Sequence, residues 1–134
     1  MLLPFLYQIN QYILKRIKAK YSFFSLKKMN LVFFYHIFFG GLYYAYAFFN
    51  PSDSKRYFSR TLSETKPWFA NFDLETGFID FISYPFIHYF GFSYEMMMLL
   101  FTWIGFWGFV FGFLFFKENI PAKVRVFKNI DFLT

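Results

Sequence analysis

Between Glu95 and Lys117 the chain runs for 21 residues without a charge, MMMLLFTWIGFWGFVFGFLFF. That is about the length an α-helix rising 1.5 Å per residue needs to cross a hydrocarbon core of ~30 Å. A second uncharged stretch, residues 29–52, contains the block LVFFYHIFFGGLYYAYAFF between Lys28 and Asp53. Two such segments predict an all-α integral membrane protein with two transmembrane helices, at 29–50 and 96–116. With 57% apolar residues, 26 Phe and 11 Tyr, lipid rather than a packed core has to receive much of the surface. The abundance of Phe, Tyr, Lys, Ile and Asn also fits an AT-rich coding sequence, so a single Phe position carries little weight.

Charge gives the orientation. The first 28 residues hold Lys15, Arg16, Lys18, Lys20, Lys27 and Lys28 and no acid, the stretch between the spans is net −2, and the segment after the second span is net +2. Basic residues near helix ends stay on the cytoplasmic side, which predicts cytoplasmic N- and C-termini and an extracytoplasmic loop over 51–95. The basic start is explained by anionic lipid headgroups, so no nucleic-acid partner is invoked. The opening MLLPFL precedes the basic residues instead of following them, the reverse of a secretory signal, and no cleavage is expected.

Residues 1–28 form a cytoplasmic basic segment. Within it, Leu2, Leu3, Phe5, Leu6, Ile9, Tyr12, Ile13 and Ile17 fall near one side of a helix, with Gln8, Gln11, Lys15 and Lys18 toward the other. This predicts an N-terminal amphipathic helix at the membrane interface, although a calmodulin-target helix has the same pattern. Asn50-Pro51 should end the first span, and Tyr43, Tyr44 and Tyr46 read as half of an aromatic belt near its outer end. Residues 52–67 read as a solvated loop with a capping-box pattern at Thr61-Leu62-Ser63-Glu64. Near 76–91, FIDFISYPFIHYFG predicts a short amphipathic outer helix, too short and too interrupted by Pro85 to span. The tail, 117–134, is basic, and its end on Phe132-Leu133 raises the expectation of a further element.

Candidate chemistry is sparse. His36 would sit about 10 Å inside the first span, where a polar ring is either functional or satisfied by a tyrosine or a carbonyl of a neighbouring helix. His88 belongs to the outer segment and shares no ligand sphere with it. Asp73, Glu75 and Asp80 form a loose acidic group without the spacing of a calcium loop. Arg56 and Arg60, four residues apart, would face one phosphate together if their segment were helical. Gly40, Gly41, Gly105, Gly108 and Gly112 are candidates for close helix packing, Gly108 and Gly112 at the spacing that lets two helix backbones approach. Without Cys, disulfides and thiolate metal sites are excluded. No glycine-rich phosphate loop, nucleophile elbow, paired-histidine zinc motif or kinase set is present, and neither a catalytic residue nor a metal or cofactor is assigned.

One resemblance adds to this reading. The span ending YYAYAFFN, the loop Ser52-Asp53-Ser54-Lys55-Arg56-Tyr57, the stretch Thr76-Gly77-Phe78-Ile79-Asp80-Phe81 with Tyr84-Pro85-Phe86, and Gly91-Phe92-Ser93-Tyr94 leading into a span and a basic tail together resemble the N-terminal portion of polytopic surface-polysaccharide membrane proteins of Bacteroidetes. Those are similar in layout to O-antigen or exopolysaccharide polymerases. The resemblance implies residence in a bacterial inner membrane, many spans, a lipid-linked oligosaccharide substrate, and polymerising residues in later outer loops that this sequence does not contain. Three expectations follow: a non-catalytic membrane subunit or N-terminal fragment of an envelope assembly, with other transmembrane helices or membrane subunits as partners; part of a glycan polymerase or glycosyltransferase, with Arg56, Arg60, Asp73 or Asp80 touching the substrate; or a small homo-oligomeric channel or carrier built around His36 and the glycines.

Overall fold

The computed structural model describes residues 2–72, 74 and 77–119. Every regular element among them is helical: α1 (Leu2–Lys20), α2 (Leu26–Phe49), α3 (Asp53–Leu62), a 3-10 turn (Trp68–Asn71), α4 (Gly77–His88) and α5 (Tyr94–Asn119). Two of them, α2 and α5, are long and apolar enough to cross a membrane. In their most apolar windows only 11% and 33% of residues are buried. The core helix of a soluble protein would be mostly covered, so these two are not core helices of that kind.

The boundaries follow from local chemistry. Pro4 falls in the first turn of α1, where a missing N–H costs nothing. Helix α2 stops where predicted: Pro51 disfavours helical geometry at Asn50, and the Asn50 side-chain amide donates to Tyr46 O (2.9 Å), taking up a carbonyl at the helix end. Ser93 caps α5, its Oγ accepting from Met96 N–H at 3.4 Å.

The segment 53–62 departs from the expected loop and is the ten-residue helix α3. Its charges suit a helix, with Asp53 in the first turn and Arg60 in the last, and its helical spacing turns Tyr57, Phe58 and Thr61 inward. Packing against α4 supplies what the polar composition lacks. Thr61 therefore lies in the last turn of a helix, not at the start of one, and the capping-box reading of 61–64 does not hold.

The described chain divides into two compact units. The first contains α1, residues 26–39 of α2, and α5 from residue 102. Its core gathers Leu14, Phe24, Met29, Phe33, Phe106, Trp107, Val110 and Phe113. Tyr7 meets Phe33 with ring centroids 6.0 Å apart, and Gln11 and Asn30 exchange amide hydrogen bonds of 2.5 and 3.4 Å, so α1 lies antiparallel along the start of α2. The predicted amphipathic helix is present, but the face this unit covers runs through Leu6, Asn10 and Leu14, while Leu3, Phe5 and Tyr12 of the expected apolar side are left outside. The second unit spans residues 40–101 and holds α3, the 3-10 turn and α4. Its buried residues include Ala47, Thr61, Ser83, Tyr84, Ile87 and Met97.

Candidate functional site

In the second unit, polar side chains converge where α3 ends against α4. Arg60 forms an ion pair with Asp80, whose side chain is only 16% exposed against 44% for the arginine. The Arg60 guanidinium also lies 5.2 Å from the Tyr57 ring centroid. Thr61 Oγ1 sits 2.9 Å from Tyr57 O and 3.1 Å from Asp80 Oδ1, its one hydrogen shared between the two acceptors. His88 Nε2 donates to Thr61 O at 2.8 Å, a carbonyl at the end of α3 that also accepts from Glu64 N–H at 3.2 Å. The His88 ring stacks on Tyr84 at 4.1 Å.

Hydroxyl, imidazole and carboxylate thus lie together, but they do not form a proton relay. A backbone carbonyl, not the Thr61 hydroxyl, occupies the imidazole nitrogen, and the carboxylate is held by an arginine rather than by the histidine. The arrangement ties the end of α3 to α4. Of the predicted phosphate-facing pair, Arg60 is engaged by Asp80, while Arg56 is well exposed beside Asp53 at 3.5 Å. Their segment is helical, as the pairing required, yet each guanidinium faces a carboxylate of this chain. Asp73 and Glu75 lie outside the described residues.

Sequence reasoning missed how Pro85 is accommodated inside α4. Proline cannot donate to the carbonyl four residues back, which here is Phe81 O. The indole N–H of Trp68 donates to that oxygen at 2.8 Å, and the Trp68 ring stacks on Phe81 at 5.4 Å. The signal was available: an internal proline announces a free carbonyl at a known position, and Trp68 is the nearest indole along the chain. Also in this unit, Tyr44 Oη donates to Glu95 Oε1 (3.2 Å), Ser93 Oγ donates to Glu95 Oε2 (2.6 Å), and Ser54 Oγ and Tyr94 Oη lie 2.9 Å apart. These bonds join the end of α2 to the starts of α3 and α5.

In the first unit, His36 Nδ1 lies 3.0 Å from Val32 O. A carbonyl only accepts, so Nδ1 carries a hydrogen. The expected carbonyl partner exists, but it belongs to the preceding turn of the same helix, and the ring's neighbours across the unit are Phe106 and Phe109, both at 5.8 Å. More pointed is Asn10, fully buried with neither amide atom hydrogen-bonded among the described residues; the indole N–H groups of Trp103 and Trp107 are likewise buried without partners there.

The glycines are placed in the open. A Cβ added at Gly41, Gly105, Gly108 or Gly112 would meet no atom within 4 Å. Gly40 is half-buried in α2. Among the described residues, no group of three or more His, Asp or Glu side chains converges to hold a metal ion.

The chain matches no protein-family model, no curated protein and no solved structure.

Proposed function

We propose that this chain is a two-span inner-membrane protein with both termini in the cytoplasm, acting as a non-catalytic helical component of a larger envelope assembly. The observation that carries this reading is the division of α5 into two opposite faces. Trp103, Phe106, Trp107, Val110, Phe113 and Leu114 point into the first unit, whereas Ile104, Gly105, Gly108 and Phe116 are exposed on the other side. Glycines with nothing against them, flanked by projecting apolar side chains, form a surface on which another helix can seat closely. The orientation is supported by basic residues at both outer flanks. Engagement of Arg56 and Arg60 by Asp53 and Asp80 favours a structural over a substrate-binding role for them. Surface-polysaccharide assembly is the setting suggested by the resemblance of the loop and span sequences.

The test is gentle purification of the tagged protein from its native membrane, with intact mass and co-purifying chains measured for the natural sequence and for Gly108→Leu. A stoichiometric membrane partner, or additional spans on the same polypeptide, is the expected result. Gly108→Leu should release the partner or lower the abundance of the assembly. A monodisperse 16.4 kDa chain without partner, unaffected by Gly108→Leu, would contradict the proposal.

A further inference from the structure

Where α1 and α5 reach their C-terminal ends in the first unit, they leave a cleft of about 450 Å³ between them, within the ~300–1,000 Å³ of small-molecule sites. Its walls are apolar: Ile13, Ile17 and Tyr21 on one side, Phe111, Leu114 and Phe115 on the other. Its mouth is charged, with Arg16 and Lys20 from α1 and Glu118 from α5. The Arg16 guanidinium lies 4.8 Å from the Tyr12 ring centroid and the Lys20 ammonium 5.1 Å from that of Tyr21. Rings steer these cations without neutralising them, and neither has a carboxylate within ion-pair distance among the described residues.

An apolar groove ending in two cations is complementary to an amphiphile with a hydrocarbon body and an anionic head. We propose that this cleft binds an anionic glycerophospholipid, one acyl chain against Ile17 and Leu114 and the phosphate at Arg16 and Lys20. This rests on the membrane reading above, in which this end of the unit lies at the cytoplasmic headgroup level, where basic pockets beside helices recognise anionic lipids. The helix ends here are C-terminal and carry partial negative charge, so the backbone offers the phosphate no donors. Selectivity comes from the two side chains, against one opposing carboxylate. Lys15 and Lys18, by helical geometry, project from the opposite side of α1.

The test uses the full chain, delipidated in nonionic detergent and titrated with dioleoyl phosphatidylglycerol or dioleoyl phosphatidylcholine, bound lipids being counted by native mass spectrometry. The phosphatidylglycerol is expected to bind about tenfold more tightly. Arg16→Gln with Lys20→Gln should abolish that preference at unchanged thermal unfolding. Lys15→Gln with Lys18→Gln, which removes the same charge from the other face, should keep it, and millimolar inorganic phosphate should not displace the lipid. Equal binding of the two lipids, or equal loss in both double variants, would overturn the site and leave only diffuse attraction. Displacement by phosphate alone would assign the cleft to a free anion and overturn the lipid. Alkaline carbonate extraction of native membranes separates the two levels: release of the protein would refute the membrane reading and the site with it, whereas retention with no lipid preference would refute the site alone.

Discussion

Asn10 is the residue whose surroundings fit its chemistry least. Its neighbours along the buried stripe of α1, Leu6 and Leu14, are aliphatic, and its amide has no hydrogen-bond partner among the described residues. Burying an unpaired amide costs roughly 1–3 kcal/mol on protein scales. Replacing it with a side chain of similar size removes that penalty, so Asn10→Leu should raise the unfolding free energy of the detergent-solubilised chain by about 1–3 kcal/mol, measured by denaturant titration. A loss of stability would show that the amide is hydrogen-bonded in the folded protein. His36 makes the contrasting case. A polar ring inside an apolar helix was visible in the sequence, but its satisfaction by Val32 O of the preceding turn was not, since the choice between a neighbouring helix and the same helix depends on the rotamer. Asn10 was hidden for a related reason: the sequence places it at the edge of the apolar stripe between Gln8 and Gln11, and only packing decides that it is covered.

At the scale of elements, long periodic or unbroken segments were legible and polar ones were not. The spans expected at 29–50 and 96–116 are the helices Leu26–Phe49 and Tyr94–Asn119, and the outer helix expected near 76–91 is Gly77–His88. Uninterrupted hydrophobicity and an Asn-Pro stop carry those assignments. Helix α3 was not legible because its stability comes from α4 and from the Arg60, Thr61 and Asp80 contacts, none of which is local. Helix α4 in turn depends on a distant donor, Trp68, to hold the carbonyl that Pro85 frees. Trp68→Phe keeps the aromatic stacking and deletes only the N–H. Because Phe81 is partly exposed, the expected cost is near the lower end of the usual range, about 1 kcal/mol, appearing as faster amide hydrogen exchange in α4 with α5 unchanged. Equal protection of α4 in both proteins would show that the indole hydrogen bond contributes nothing to holding the proline-containing turn.

At the scale of the whole molecule, two apolar helices with little burial and basic outer flanks are joined in sequence by a segment that packs on itself through polar contacts. The intervening segment has a small core of its own, with Thr61, Ser83 and Ile87 buried, and its tyrosines at the ends of α2 and α5 pair with Glu95 and Ser54. Such an arrangement suits a segment resting at a membrane boundary, where aromatic rings stay in apolar surroundings and their hydroxyls meet polar groups. The absence of cysteine makes a direct topology measurement clean. Single substitutions Ala19→Cys and Ser59→Cys, both at exposed positions, can be labelled in intact cells with a membrane-impermeant maleimide, then again after permeabilisation. Two spans with both termini inside predict that Ser59→Cys is labelled from outside at once and Ala19→Cys only after permeabilisation. Labelling of both from the same side would contradict the account.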